Sequence, residues 1–179
     1  MRATGIIRKI DDLGRIVVPK ELRRVLKIRE GDPVEIYTDS QGQIILKKYS
    51  PIGEMGENVT TYAALIAQMS GCRVLLTDRE QVVAVEGRGK KELEGRRISK
   101  EMEHILEDRS LVNTGKTKKP VEIVEGETMA DVQIICPILC ESDVIGAIVL
   151  LGSDKQKELG ELEGKIANMA AAFLGRLAM

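Results

Sequence analysis

Gly5-Ile6-Ile7-Arg8-Lys9-Ile10-Asp11-Asp12-Leu13-Gly14-Arg15-Ile16-Val17-Val18-Pro19-Lys20-Glu21-Leu22-Arg23-Arg24 is the stretch whose reading decides how the chain begins to fold. Two short runs rich in β-branched residues, 6–10 and 15–18, are parted by Asp11-Asp12-Leu13-Gly14, a combination that predicts strand, turn and strand. Pro19 then opens a helix, as proline does at a first helical position. Residues 1–29 hold nine Lys and Arg against three acids, a net of +6, whereas the 179-residue chain carries −1.

Outward from that stretch, the pattern predicts a second hairpin, Val34 to Thr38 and Ile44 to Lys48, around Asp39-Ser40-Gln41-Gly42. Hairpin, helix and hairpin fill the first 50 residues. Even a 60-residue domain hides only about 60% of its unfolded surface, and here no disulfide or metal is available to help. Four short strands also leave open edges. The module is therefore expected to fold as a dimer, strands of both chains interleaved in one barrel, with the two basic segments joined to +12.

Arg8 and Arg15 flank the first turn, and Arg23 and Arg24 lie on the helix after it, whose other side carries Leu22, Val25 and Leu26. Arginine suits this position because its planar fork can bind phosphate or the guanine edge bidentately. Lys9 and Lys20 are expected to steer rather than specify. The plainer alternative is a solvated charged face balanced by Asp11, Asp12 and Glu21. No aromatic precedes Tyr37 and the chain has no tryptophan, so stacking on single strands is disfavoured and duplex DNA is the nucleic-acid candidate.

The remaining 129 residues have the opposite sign, 16 Lys and Arg against 21 Asp and Glu. Opposite charge suggests two jobs. Residues 50–54 are expected to be a linker. Beyond it, Met55, Val59, Tyr62, Ile66 and Met69 recur at helical spacing, ended by Gly71. Strands are expected over 73–77, 81–86, 121–124, 132–139 and 144–151, with a helix around Ile98 to Leu106 capped by Ser99 and a basic, turn-rich connection over 113–120. A closing helix from about Lys155 to Leu177 carries Leu159, Leu162, Ile166, Met169, Phe173 and Leu177. These seams have two readings, packing on their own sheet or a helical bundle between subunits. The second predicts a homotetramer, a dimer of dimers.

Little in the chain suggests catalysis. No Ser or Cys stands in a nucleophile motif, His104 is the one histidine, and Gly87-Arg88-Gly89-Lys90-Lys91 lacks phosphate-loop spacing, reading as a polar loop. Cys72, Cys136 and Cys140 read as free core thiols, with oxidation sensing and metal binding as lesser alternatives. No cofactor or metal is implied. No apolar run reaches the roughly 20 residues a membrane span needs, and the N-terminus lacks a secretory core, so a cytoplasmic protein without membrane contact is expected.

Residues 4–11, 13–24 and 44–49 together resemble the N-terminal domain of the AbrB transition-state regulators. The resemblance implies a swapped-hairpin β-barrel dimer that binds double-stranded DNA, with Arg8, Lys9, Arg15, Lys20, Arg23 and Arg24 in contact. The order of elements after residue 54, with Pro137, Ile145-Gly146-Ala147 and Ala171-Ala172-Phe173-Leu174, is similar to a GAF domain, a small-molecule sensing fold. The implied whole is an α+β protein: residues 1–50 as the barrel, 51–54 as linker and 55–179 as a GAF-like antiparallel sheet flanked by helices. It implies a regulator of spore development, activator and repressor, with an unidentified small effector as candidate ligand of the GAF-like part. An antitoxin-like interaction module and a nucleotide-handling enzyme on the C-terminal fold are the readings from other classes.

Overall fold

In the computed structural model, residues 4–115, 119–127, 129–130, 132–152 and 158–179 are described. The chain divides into two compact units, Met1–Tyr49 and Ser50–Met179.

The first unit holds helix α1 (Lys20–Val25) and strands β1 (Val34–Thr38) and β2 (Ile44–Lys48), paired antiparallel with Val34 opposite Lys48 and Thr38 opposite Ile44. Both of its turns are built alike. The Asp11 carboxylate accepts the backbone N–H groups of Leu13 and Arg15 at 3.0 and 2.7 Å, and the Asp39 carboxylate accepts those of Gln41 and Gln43, each at 2.9 Å. In each, the Asp N–H donates to the carbonyl four residues on, and a glycine at positive φ, Gly14 or Gly42, donates back to the Asp carbonyl. Such Asp-anchored turns pre-form a hairpin from local bonds alone.

One expectation differs here. No strand ladder forms over 6–10 and 15–18: beyond the Asp11–Arg15 closure these segments run without ladder bonds in the single chain. Val25 and Leu26 keep 76% and 54% of their surface exposed, and among residues 4–49 only Pro19 is buried.

The second unit opens with helix α2 (Pro51–Glu54), where the sequence pattern predicts a linker. Ser50 caps it by accepting the Gly53 N–H at 3.1 Å and donating to Asp78 at 2.9 Å, and Ile52 is fully buried. A serine followed by proline here is an N-cap and first helical residue. Helix α3 (Glu57–Ser70) ends at Gly71 in the left-handed conformation. Then come β3 (Arg73–Thr77), β4 (Val82–Glu86), α4 (Lys90–Leu93), α5 (Lys100–Asp108), β5 (Val112–Asn113), β6 (Gln133–Cys140), β7 (Asp143–Leu151) and α6 (Glu161–Leu177). The expected start of the closing helix at Lys155 lies outside the described residues, as do 116–118 of the basic connection; Glu158 to Gly160 precede the helix.

The sheet is antiparallel, in the order β4-β3-β7-β6-β5. Alternation along its strands sends Val74, Leu76, Ile134, Ile148 and Leu150 to one face, where α2, α3 and α6 cover them. Leu75, Ile135, Val149 and Leu151 face the other way, against Met102 and Leu106 of α5 and the stretch 121–124. α6 lies so close to β6 that a Cβ on Gly175 would come within 1.9 Å of the Leu139 carbonyl oxygen.

The stretch 121–124 is not a strand; only isolated bridges form at Val124. Its backbone is held by a side chain instead. Gln133, fully buried, accepts the Val121 N–H at 2.8 Å and donates to the Val121 and Ala130 carbonyls at 3.0 and 3.1 Å. Replacing Gln133 by Leu strands these backbone groups, each costing about 1–3 kcal/mol when unpaired. The urea midpoint of the second unit is expected to fall clearly; an unchanged midpoint would show that the stretch is held by other means.

Candidate nucleic-acid interface

The cations of the first unit differ in how firmly they are held. Arg15 is fixed: its Nε donates to the second oxygen of Asp11 at 2.8 Å, while the first oxygen closes the turn beneath it. Those bonds to the Arg15 backbone and side chain, with a lesser one from Leu13, hold the Asp11 carboxyl below its ordinary value of 3.8. Arg8 is exposed and donates to the Ile7 carbonyl at 3.0 Å. Lys9, Lys20 and Arg24 are exposed. Arg23 is half-buried on α1, and its Nε is buried with no acceptor among the described residues.

The equivalent turn in the second hairpin sets Thr38 opposite Ile44. Continued in the same way, the first hairpin would set Ile10 opposite Ile16 and Arg8 opposite Val18. Side chains alternate, so Lys9 would share the face of Arg15 and Arg8 would point to the other. Asp11 does more than balance charge: the Asp-x-x-Gly spacing at both 11 and 39 is the signal that identifies it as the anchor of its hairpin.

In the second unit the expected seam is divided. Val59, Ile66, Leu159 and Ile166 are buried in the unit's own core, so they face its sheet. Met55 and Tyr62 are half-buried against that core, and the Tyr62 ring meets Phe173 edge-on at 5.8 Å. Met69, Leu162, Met169 and Phe173 are exposed, with Leu65 and Leu177 beside them in the sequence pattern.

The three cysteines are free thiols, Cys72 and Cys136 buried and Cys140 half-buried. Burial raises the Cys72 thiol pKa and pushes that of Cys136 up to about 11, keeping both protonated at neutral pH. Cys136 and Cys140 are four residues apart on β6, about 13 Å at strand rise, beyond the roughly 7 Å reach of a disulfide. Among the described residues no group of three His, Cys, Asp or Glu is placed to hold a metal, and no helix is long and apolar enough to cross a membrane.

A family profile described as "Stage V sporulation protein T C-terminal, transcription factor" matches residues 54–178. The chain is 44% identical to stage V sporulation protein T of Bacillus subtilis (strain 168) over 98% of each. It belongs to the stage V sporulation protein T family. As a member of this family of transcription factors, the chain is a transcription regulator of sporulation. Its first part is 61% identical over 51 residues to the transition state regulatory protein AbrB of B. subtilis, covering 28% of this chain and 52% of AbrB. A second profile, "Antidote-toxin recognition MazE, bacterial antitoxin", matches residues 7–54. The second unit has the GAF fold: the GAF domain of an Acinetobacter phosphoenolpyruvate-protein phosphotransferase superposes with a TM-score of 0.55 at 13% identity, over 72% of this chain and 87% of that one.

Asp11 titration offers a direct check on the turn. Because its folded pKa is depressed, the turn's electrostatic contribution is complete above the ordinary aspartate range and is lost as pH falls through the lower folded value. An NMR titration should therefore place the Asp11 midpoint below 3.8, and Arg15→Ala should return it toward that value.

Proposed function

We propose that this sporulation regulator binds double-stranded DNA through a barrel shared by two chains, using Arg8, Lys9, Arg15, Lys20, Arg23 and Arg24. One observation carries the reading: a basic segment of net +6 belongs to a unit that buries only Pro19 among residues 4–49. Ile7, Ile10, Ile16, Val17, Ile36 and Ile44 are each at least half exposed. Their burial against a second copy would supply the missing core, since fully covering one such side chain contributes about 1.5–3 kcal/mol. The same pairing places two sets of cations on one dimer. Phosphate contacts then supply most of the affinity, and a subset of the arginines with DNA deformability supplies sequence preference, for activation at some sites and repression at others.

Two barrel dimers would join through the exposed apolar positions of α3 and α6, Met69, Leu162, Met169 and Phe173, giving a homotetramer. The GAF-like unit would hold a small effector; such a ligand alters regulation only if it binds two states of the protein unequally. The antitoxin profile supports a second reading, in which the first unit neutralises a toxin. That profile ends at residue 54, whereas the transcription-factor profile and the full-length relative account for the residues beyond it. Co-purification of a small toxin would favour the second reading.

Arg24 gives the cleanest test, being exposed and outside the turn's bonding. Arg24→Ala is expected to leave the dimer intact and to lower the slope of log affinity against log salt by about 0.9, one phosphate contact. Alanine at Arg8, Arg15, Arg23 and Arg24 together should abolish binding; retained affinity with an intact dimer would refute the assignment. For assembly, Phe173→Asp with Met169→Asp should convert the sedimenting species from tetramer to dimer while DNA binding by each dimer persists.

A further inference from the structure

An Asp-anchored turn of the kind found twice in the first unit needs one carboxylate oxygen. In the second hairpin Asp39 accepts the N–H groups of both Gln41 and Gln43 on Oδ1, and Gln43, a neutral residue, fills the fifth position. The first hairpin uses Oδ1 of Asp11 in the same way, for Leu13 and Arg15. Its Oδ2 is surplus to the turn and accepts one further bond, from Nε of Arg15 at 2.8 Å. All of these bonds join residues within one turn, so they form in each chain whatever that chain pairs with.

The bond between the side chains adds little to the fold. Both are open to water, 69% of Arg15 and 37% of Asp11 remaining exposed, and an exposed ion pair contributes little to stability. Its effect is on orientation. A guanidinium has two edges with parallel N–H donors, Nε with Nη2 and Nη1 with Nη2. Asp11 holds Arg15 at Nε and leaves the second edge free, neither Nη having a partner among the described residues.

That free edge matches the O6 and N7 acceptors of guanine or two oxygens of a phosphate. Asp11 decides between them. A phosphate brought to this edge is repelled by the carboxylate beside it, whereas guanine offers its two acceptors without net charge. A carboxylate can also accept from the amino group of a neighbouring cytosine. The other cations of the segment are not held in this way: Arg8 turns one Nη to the adjacent Ile7 carbonyl, Arg23 has no acceptor for its Nε among the described residues, and Lys9, Lys20 and Arg24 are exposed.

We infer that Arg15 reads a guanine in the bound duplex and that Asp11 is the positioning residue that aims it. The inference rests on the proposed binding of double-stranded DNA and names the specificity-determining arginine within it.

Asp11→Asn separates the two duties of Asp11, because an amide keeps an oxygen to close the turn but has no second acceptor for Arg15. The full-length protein is first used to enrich a duplex from a random pool, and affinities are then measured for that duplex and for the unselected pool. Asp11→Asn should bind the pool as tightly as wild type or more tightly, since it removes a negative charge from the basic face, while its preference for the enriched duplex should fall at least about fivefold, the lower end of what a bidentate guanine contact contributes. Adding Asp11→Asn to Arg15→Ala should cost no further preference, the two side chains acting as one unit. Replacing guanines of the enriched duplex one at a time by the N7-deaza analogue, which lacks that acceptor, should weaken wild-type binding at one position in each half of the site and leave Arg15→Ala unaffected there. Unchanged preference in Asp11→Asn, or a wild type indifferent to every replaced guanine, would overturn the proposal. Loss of the dimer in Asp11→Asn would overturn the positioning role, and the replaced guanines, read with Asp11 in place, would then decide the role of Arg15 alone. A wild type that binds no duplex defeats the DNA-binding reading as well, so the two failures are distinguishable.

Discussion

The first unit lacks an apolar core of its own: among residues 4–49 only Pro19 is buried. Two hairpins and a helix of six residues offer fourteen large apolar side chains to solvent, from Ile6 to Tyr49. An isolated hairpin is marginal in water. The proposed second copy would supply the missing cover while bringing together two segments of net +6, whose repulsion is screened only beyond about 8 Å at physiological salt. Apolar burial would have to outweigh that repulsion on dimerisation, and a polyanion would then remove it. On this proposal assembly and DNA binding are linked by one balance of energies: the surface whose charge opposes the dimer would be the surface that a double helix neutralises.

The same turn serves both hairpins with different chemistry at its fifth position. In the first, Asp11 keeps one oxygen for the turn and gives the other to Arg15. In the second, Gln43 occupies the place of Arg15, and its side chain donates instead to Gln41 at 2.9 Å. One hairpin tip thus presents an oriented guanidinium and the other neutral amides. A repeated backbone solution separates a charged end from an uncharged one, and the carboxylate that forms the turn also offsets the cost of orienting Arg15.

Elements specified by neighbours in sequence are legible, and those specified by distant partners are not. The Asp11–Gly14 turn, the Gly71 stop and the Ser99 cap each rest on bonds within a few residues, and each is readable. Val121-Glu122-Ile123-Val124 has the alternation of a strand, yet the bonds that hold Val121 come from Gln133, twelve positions away, and no local pattern announces a side chain standing in for a ladder. Conversely, Ser50-Pro51 suits a turn opener and a helix start equally well, and only the burial of Ile52 decides for the helix. The helix seams are half legible: periodicity finds the apolar positions of α3 and α6, but two apolar faces on one helix overlap in such a narrow pattern, and only packing separates Ile166, turned to the sheet, from Met169, turned to solvent. Of the basic residues, composition identifies the segment, while the bond that fixes Arg15 to Asp11 shows only in the turn geometry.

What the sequence conceals most completely is whether an arginine is paired. Arg15 and Arg96 are each met by a carboxylate, Asp11 and Glu127. Arg23 and Arg73 each enclose an Nε that nothing among the described residues accepts. Pairing fixes a guanidinium and neutralises it, so the first two are organised in advance; an enclosed donor left without a partner retains a cost that an incoming acceptor can remove. In the first unit, a second chain or a DNA phosphate is the acceptor that the proposed function brings to Arg23. In the second, the backbone of Gly87 and Gly89 lies against Arg73, where an added Cβ would come within 3.0 and 2.9 Å of its side chain. Two arginines with the same deficit thus differ in surroundings: Arg23 lies in the unit proposed to meet a second chain, and Arg73 lies under a loop of its own unit.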